Sequence, residues 1–271
     1  MKLAPMNYHY LRYPLTRFLD KVERSPFDSI DLYCSAPQLN IFDYSLSDLL
    51  TLDKEIRRRH LSVMAMTPEN CTYPVNFCTQ DRTTREASLR YYQRAIDTAA
   101  FLDCPKVQIS TGFGYFDAPR EEAWNYCRDS LRQLAVYCER KGVTLLLEEL
   151  KVTTTNVLIT SQDLAAMLDE ISSPAVVGMV DMDQMTYAGE TVDDYFTNLG
   201  SRLGHIHFND RCHTVPGDGD FPMKRYYDEI IAHGYEGSCS FEICDRRYYC
   251  DPDKAIDDLV HWLRENTHEL D

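Results

Sequence analysis

No apolar run in the 271-residue chain approaches the roughly 20 residues needed to cross a bilayer. The stretch from Met1 to Tyr10 also lacks the long apolar core of a secretory leader. The expectation is a cytoplasmic protein with no membrane partner. Positive charge is scarce: 28 Lys and Arg stand against 43 Asp and Glu, a formal charge of −15. Such a surface repels phosphate backbones, so nucleic acid is not an expected partner. The ten cysteines contain no Cys-x-x-Cys pair, and they read as reduced, packing residues rather than a structural zinc site. No Gly-x-Gly-x-x-Gly follows the first apolar run, which argues against a dinucleotide-binding sheet. Linkers and low-complexity segments are missing as well.

What is present is an alternation. Short β-branched or apolar runs predict strands at Leu3–Asn7, Ser29–Cys34, Leu61–Thr67, Lys106–Thr111, Val143–Leu150, Val176–Asp183, Leu203–Asp210 and Ser238–Cys244. Between them, apolar stripes at helical spacing predict helices at Leu15–Arg24, Ser47–Arg59, Thr84–Leu102, Glu121–Arg140, Ser161–Ile171, Val192–Leu199, Met223–His233 and Asp253–Glu265. Gly142 and Gly234 stand where left-handed helix terminators belong, and Pro222 suits a first helical turn. Eight strand–helix pairs without a linker predict an α/β fold, a single (β/α)8 TIM barrel occupying residues 1–271 as one domain. A doubly wound open sheet is the alternative.

In a barrel of this kind the chemistry sits at the C-terminal ends of the strands. The last four predicted strands end with Glu148-Glu149, Asp181-Met182-Asp183, His205-Ile206-His207 and Phe241-Glu242-Ile243. Glu148, Asp181, His207 and Glu242 are 33, 26 and 35 residues apart by subtraction, each about one strand–helix repeat. Strand side chains alternate faces. Glu242 therefore lies on the face of Ser238 and Ser240, opposite Phe241 and Ile243. His205 and His207 share a face, opposite Ile206 and Phe208. Asp181 shares a face with Asp183. Three carboxylates in one low-dielectric mouth repel one another, and a divalent cation resolves that conflict most directly. Two Glu, one Asp and one His form a mostly hard oxygen set, suited to Mn²⁺, Mg²⁺ or Co²⁺ before a thiolate-type zinc site. Alternation alone leaves open which of the two histidines is the ligand.

Several stretches carry a family resemblance: Thr67-Pro68-Glu69-Asn70 with Tyr73-Pro74-Val75-Asn76, Arg85-Glu86-Ala87-Ser88-Leu89, Leu147-Glu148, Met179-Val180-Asp181, His205-Ile206-His207, the loop from His213 to Gly219, and Gly234-Tyr235-Glu236-Gly237. On these the chain resembles the xylose isomerase-like barrel superfamily of sugar isomerases and epimerases, and within it the fructoselysine 3-epimerases in particular. The resemblance implies that Glu148, Asp181, His207 and Glu242 are metal ligands, so it selects His207 over His205. It also implies that Glu148 and Glu242 exchange a proton with the substrate through a metal-stabilised enediolate, with Mn²⁺ the first expectation and Mg²⁺, Co²⁺ or Zn²⁺ as replacements. Glu69 and His213 are the implied substrate-binding residues.

Some positions depart from the simple ketohexose epimerases. Thr154 stands where they carry a Glu, Gln184 where they carry a His, and His213 where they carry a sugar-binding Arg. Free psicose or tagatose is thus not the expected substrate. The fructoselysine-type pattern shares the His213-x-x-Pro-Gly-x-Gly loop, although Glu149 replaces its proline. The seventh loop sets Asp210, Asp218 and Asp220 against Arg211, a poor phosphate cradle. An uncharged sugar or an amine-linked ketose is the expected partner, and the superfamily's habit makes a homo-oligomer an expectation. A lyase of the same superfamily, of the inosose-dehydratase or carbon-glycoside-cleaving kind, is the alternative activity. An endonuclease-like barrel is disfavoured by the charge of −15.

Overall fold

The computed structural model describes residues 1–270. Strand and helix alternate through β1 (Lys2–Pro5), α1 (Leu15–Glu23), β2 (Ser29–Cys34), α2 (Leu46–Arg57), β3 (Ser62–Pro68), α3 (Arg82–Phe101), β4 (Lys106–Ile109), α4 (Arg120–Lys141), β5 (Thr144–Leu147), α5 (Ser161–Ile171), β6 (Val176–Asp181), α6 (Met182–Ala188), α7 (Val192–Leu199), β7 (Leu203–His207), α8 (Met223–Ala232), β8 (Ser238–Phe241) and α9 (Pro252–Asn266). This is the eight-fold repeat of the (β/α)8 fold. No helix among the described residues is long and apolar enough to cross a membrane. All ten cysteines are free thiols.

Helix boundaries follow local chemistry. Ser45 and Thr191 close capping boxes with Asp48 and Asp194 ahead of α2 and α7. Thr160, one residue before the expected start, caps α5 by accepting from the Asp163 N–H. Gly142 ends α4 at φ +69°, a conformation that a Cβ would disfavour. Pro222 is the N-cap of α8 rather than part of its first turn. The helix beginning at Met182 has no counterpart in the sequence reading, and it shortens β6 to end at Asp181.

The residues group into two compact units. One comprises Met1–Ala65, Asp181–Asp183 and the chain from His205 onward. In it β1 and β7 each pair parallel with β8, and Met6 bridges to Asp31 of β2. Its core holds Phe18, Leu19, Ile30, Leu32, Ile206, Phe241, Ile256 and Leu259, all buried. The other unit comprises Met66–Val180 and Gln184–Gly204. There Met66 of β3 pairs with β4, β4 with β5, and β5 with β6, all parallel. Ile96, Val107, Ile109, Leu131, Leu145, Leu147 and Leu164 fill its core. Each such side chain contributes about 1.5–3 kcal/mol relative to exposure.

Candidate functional site

The register of β7 on β8 sets His205 beside Ser238 and His207 beside Ser240. Two layers of polar groups result. In the lower layer, the Nδ1 of His205 lies 2.7 Å from the Ser238 hydroxyl and its Nε2 lies 2.8 Å from the Ser240 hydroxyl. Ser240 in turn donates to Asp31 Oδ2 at 2.7 Å. All four groups are buried. His205 is thus a hydrogen-bonded support.

The upper layer is built differently. His207 turns its two nitrogens to opposite sides: Nε2 lies 3.5 Å from Asp31 Oδ2, whereas Nδ1 lies 3.2 Å from Glu242 Oε2 and 3.8 Å from Asp181 Oδ2. With no ion present an Nδ1–H can donate to Glu242 Oε2, whereas an Nε2–H directed at the Asp31 carboxylate would free Nδ1 to act as a metal donor, as in carboxylate–histidine–metal arrangements. His213 approaches the same pair, its Nε2 3.4 Å from both Asp181 Oδ2 and Glu242 Oε2. Its Nδ1 lies 3.5 Å from Asp183 Oδ2. Asp181 is held in orientation by the Asp183 N–H on Oδ1 and the Asn209 amide on Oδ2, at 2.8 and 2.7 Å.

Burial alone would push these carboxyls up, yet their partners hold them down. For Glu242 the hydrogen bonds and charge of His207 and His213 outweigh burial, and the carboxyl stays well below its usual range. Asp181 is lowered against burial by His213, and Asp31 against burial by His205 and His207. His213 is raised well above the ordinary imidazole range: burial opposes its charge, but neighbours that include Asp181 and Glu242 more than offset it. Ionised carboxylates facing imidazole nitrogens at these spacings form a candidate metal site.

The remaining candidates lie in the other unit. Glu148 follows directly after β5, is buried, and accepts from the Gln108 amide at 2.5 Å. Glu149 faces the opposite way, where the Tyr195 hydroxyl of α7 donates to it. Gln184 accepts from the Lys151 N–H at 3.0 Å. The Oε1 of Glu69 closes a turn by accepting from the N–H groups of Cys71 and Thr72 at 2.7 and 2.8 Å.

The carboxylates of the seventh loop are engaged within the loop and its neighbours. Asp210 is buried and turned inward, its carboxylate accepting the N–H groups of Arg211, Gly217, Gly219 and Phe221 at 2.7–3.2 Å. Asp220 pairs with Arg211, and Asp218 accepts from the Tyr248 hydroxyl. The loop carries its charges in internal bonds.

Sequence reasoning missed Asp31, Asn209 and Cys244. Asp31 is a lone carboxylate inside the run Ser29-Ile30-Asp31-Leu32, and that interruption of an apolar strand was the available signal. Asn209 immediately follows Phe208 past the end of β7, and Cys244 lies three residues past the end of β8, where strand parity no longer applies. Cys244 joins His213 and Glu242 in one cluster of donor groups.

Comparison with known proteins follows the geometry. The family described as xylose isomerase-like TIM barrel matches residues 19–266. The fructoselysine 3-epimerase of Escherichia coli O157:H7 is 27% identical over 248 residues, 90% of this chain and 90% of that protein. The D-psicose 3-epimerase of Agrobacterium fabrum is 24% identical over 230 residues, 83% of this chain and 78% of its own length. Among solved structures, D-psicose 3-epimerase from Clostridium cellulolyticum H10 with D-tagatose superposes with a TM-score of 0.81 at 18% identity, covering 98% of this chain and 99% of its own. That likeness is one of fold.

Proposed function

The chain belongs to the xylose isomerase-like TIM barrel family, and from that premise we propose that this isomerase is a metal-dependent 3-epimerase of fructoselysine or a related amine-linked ketose. The observation that carries the reading is the approach of Glu242 Oε2 and Asp181 Oδ2 to His207 Nδ1 at 3.2 and 3.8 Å. Relatives along most of the chain bear the names of sugar 3-epimerases. Carboxylates beside an imidazole suit a divalent ion, Mn²⁺ first, with Mg²⁺, Co²⁺ or Zn²⁺ as replacements. Glu148, Asp181, His207 and Glu242 would hold it. When bound, such an ion supplies Lewis-acid stabilisation of the charge that develops on the ketose oxygens.

The remaining work falls to side chains. One of Glu148 and Glu242 removes the C3 proton as general base, and the other returns a proton to the opposite face. Glu242 suits this exchange because its imidazole neighbours keep it ionised. The Gln108 amide orients Oε2 of Glu148. Glu69 is proposed as a sugar contact. Arg211 is the one Lys or Arg of the seventh loop and is engaged by Asp220, which disfavours a phosphorylated sugar.

The test is exchange. Mn²⁺-loaded protein in D₂O is expected to place deuterium at C3 of fructoselysine, read by NMR, and Glu242→Gln is expected to abolish the signal. Exchange on a different ketose alone would reassign the substrate. Loss of water in place of exchange would move the protein to the lyases of the superfamily, and inertness towards every ketose tried would refute the epimerase reading.

A further inference from the structure

We propose that Arg12 and Arg246, beyond the C-terminal ends of β1 and β8, form a carboxylate-binding subsite that selects the anionic tail of an amine-linked ketose. The inference rests on the amine-linked reading above and deepens it by naming what holds the tail. Arg12 stands in the loop that leaves β1 and Arg246 in the loop that leaves β8, the strand ends where barrel enzymes place their sites. Both loops belong to the unit that holds His207 and Glu242. The Tyr13 hydroxyl ties one loop to the other by donating to the Tyr249 carbonyl at 2.9 Å. Tyr249 closes a tight turn on Arg246, its N–H donating to the Arg246 carbonyl at 3.1 Å.

Charge sets the pair apart. Neighbouring cations have counter-ions: Arg17 lies 3.1 Å from Asp253, and Arg247 lies 3.3 Å from Asp245, which also accepts the Arg247 N–H at 2.8 Å. Arg12 and Arg246 are exposed, and neither enters an ion pair among the described residues. A chain with 43 acidic against 28 basic residues has carboxylates to spare, yet none of the described ones is set against these two guanidiniums.

The pair also lies near the chemistry. Burial raises the Tyr249 phenol, the Cys244 thiol raises it further, and the charges of Arg12 and Arg246 oppose the shift. Cys244 clusters with His213 and Glu242, so one side chain is within electrostatic reach of both the guanidiniums and the group that contains Glu242. Arg12 lines a cleft of about 520 Å³ together with Leu11, Pro14, Pro37 and Gln38. Gln38 fixes that wall by donating to the Tyr10 and Tyr13 carbonyls at 2.8 and 2.9 Å. Apolar side chains there suit the methylenes of an alkyl arm, and a guanidinium suits a carboxylate at its end. A lysine joined to a ketose through its side-chain amine presents that combination. Because both guanidiniums are exposed, each is expected to contribute about twofold to fivefold in affinity, and the two together about tenfold.

The experiment varies the tail. Mn²⁺-loaded protein is given fructoselysine or fructosyl-cadaverine, which keeps the arm and the terminal amine but lacks the carboxylate. Affinities are read by calorimetry, and C3 exchange supplies kcat and KM for each. The wild type is expected to bind fructoselysine about tenfold more tightly, with the gain in KM and not in kcat. Arg12→Gln and Arg246→Gln should each remove part of the preference, the double variant all of it, and Lys at both positions should restore part. Added salt should shrink it, since exposed charge pairs are screened. Equal wild-type affinity for the two ligands, or variants that weaken both alike, overturns the subsite and leaves the epimerase reading standing. A phosphorylated ketose bound more tightly than fructoselysine overturns the choice of carboxylate. Binding of other ketoses but of neither amine-linked ligand overturns the amine-linked reading and the subsite with it.

Discussion

His205 and His207 sit two residues apart on β7 and face the same way, yet their surroundings differ in kind. Around His205 the partners are hydroxyls at 2.7 and 2.8 Å, distances at which a hydrogen bond is made and the group is satisfied. Around the Nδ1 of His207 the neighbours are carboxylate oxygens at 3.2 and 3.8 Å, which gather negative charge without that closeness. A saturated layer contributes shape and stability. The layer in which imidazoles and carboxylates face one another is the one proposed to hold an ion. Asp31 joins the two, accepting from Ser240 below and lying 3.5 Å from His207 Nε2 above.

The largest effect that would sharpen this contrast is catalytic. Glu242→Gln, in the upper layer, is expected to lower C3 exchange by about 10²–10⁴-fold, the range for losing a general acid–base. A folded variant that retains full exchange would erase the functional half of the contrast.

A pH scan compares both layers with a third buried histidine. Burial pushes His9 down to about 4, against weaker support from the Ile243 and Pro252 backbone and the Asp253 charge. The unfolded chain takes up this proton near 6.5, the folded one only near 4. The stability is therefore whole above about pH 6.5 and is lost as pH falls towards 4, by about 3 kcal/mol. Urea titrations of metal-free protein at pH 7 and pH 4.5 should show the loss, reduced in His9→Phe. Depressed carboxylates such as Glu242 and Asp31 add stability that is lost only as pH falls below the ordinary carboxylate range.

Metal addition separates the layers directly. At a hundredfold excess over its dissociation constant, Mn²⁺ is expected to stabilise the wild type by about 2.7 kcal/mol in thermal or urea unfolding. The gain should vanish in His207→Ala and persist in His205→Ala. The smallest effect is the converse one: His205→Ala is expected to cost about 2 kcal/mol of stability, because Ser238 and Ser240 lose a buried partner, with metal stoichiometry unchanged. Metal loss in His205→Ala without destabilisation would reverse the assignment of layers.

Much of this was legible in the chain itself. Alternation set Glu242 opposite Phe241 and Ile243 and put both histidines on one face, but it left open which of the two meets the carboxylates. The eight-fold alternation was legible because apolar periodicity is a local property. The obscure parts depend on contacts distant in sequence. Asp31 meets His207 across 176 residues by subtraction, and nothing local announces it. Strand parity was carried too far in β6, where α6 begins at Met182 and Asp183 belongs to its first turn. The approach of His213 rests on two left-handed non-glycine residues, a geometry that turn rules based on glycine do not foresee.

Asp210 and Gly219 carry a lesson for anyone recombining loops between barrels. A Cβ built on Gly219 would stand 2.2 Å from Asp210 Oδ1, and that carboxylate already gathers the N–H groups of four residues spread over eleven positions. The two residues therefore behave as one inheritable cassette. A graft that takes the segment bearing His213 without both of them transfers the letters but not the scaffold that aims the imidazole.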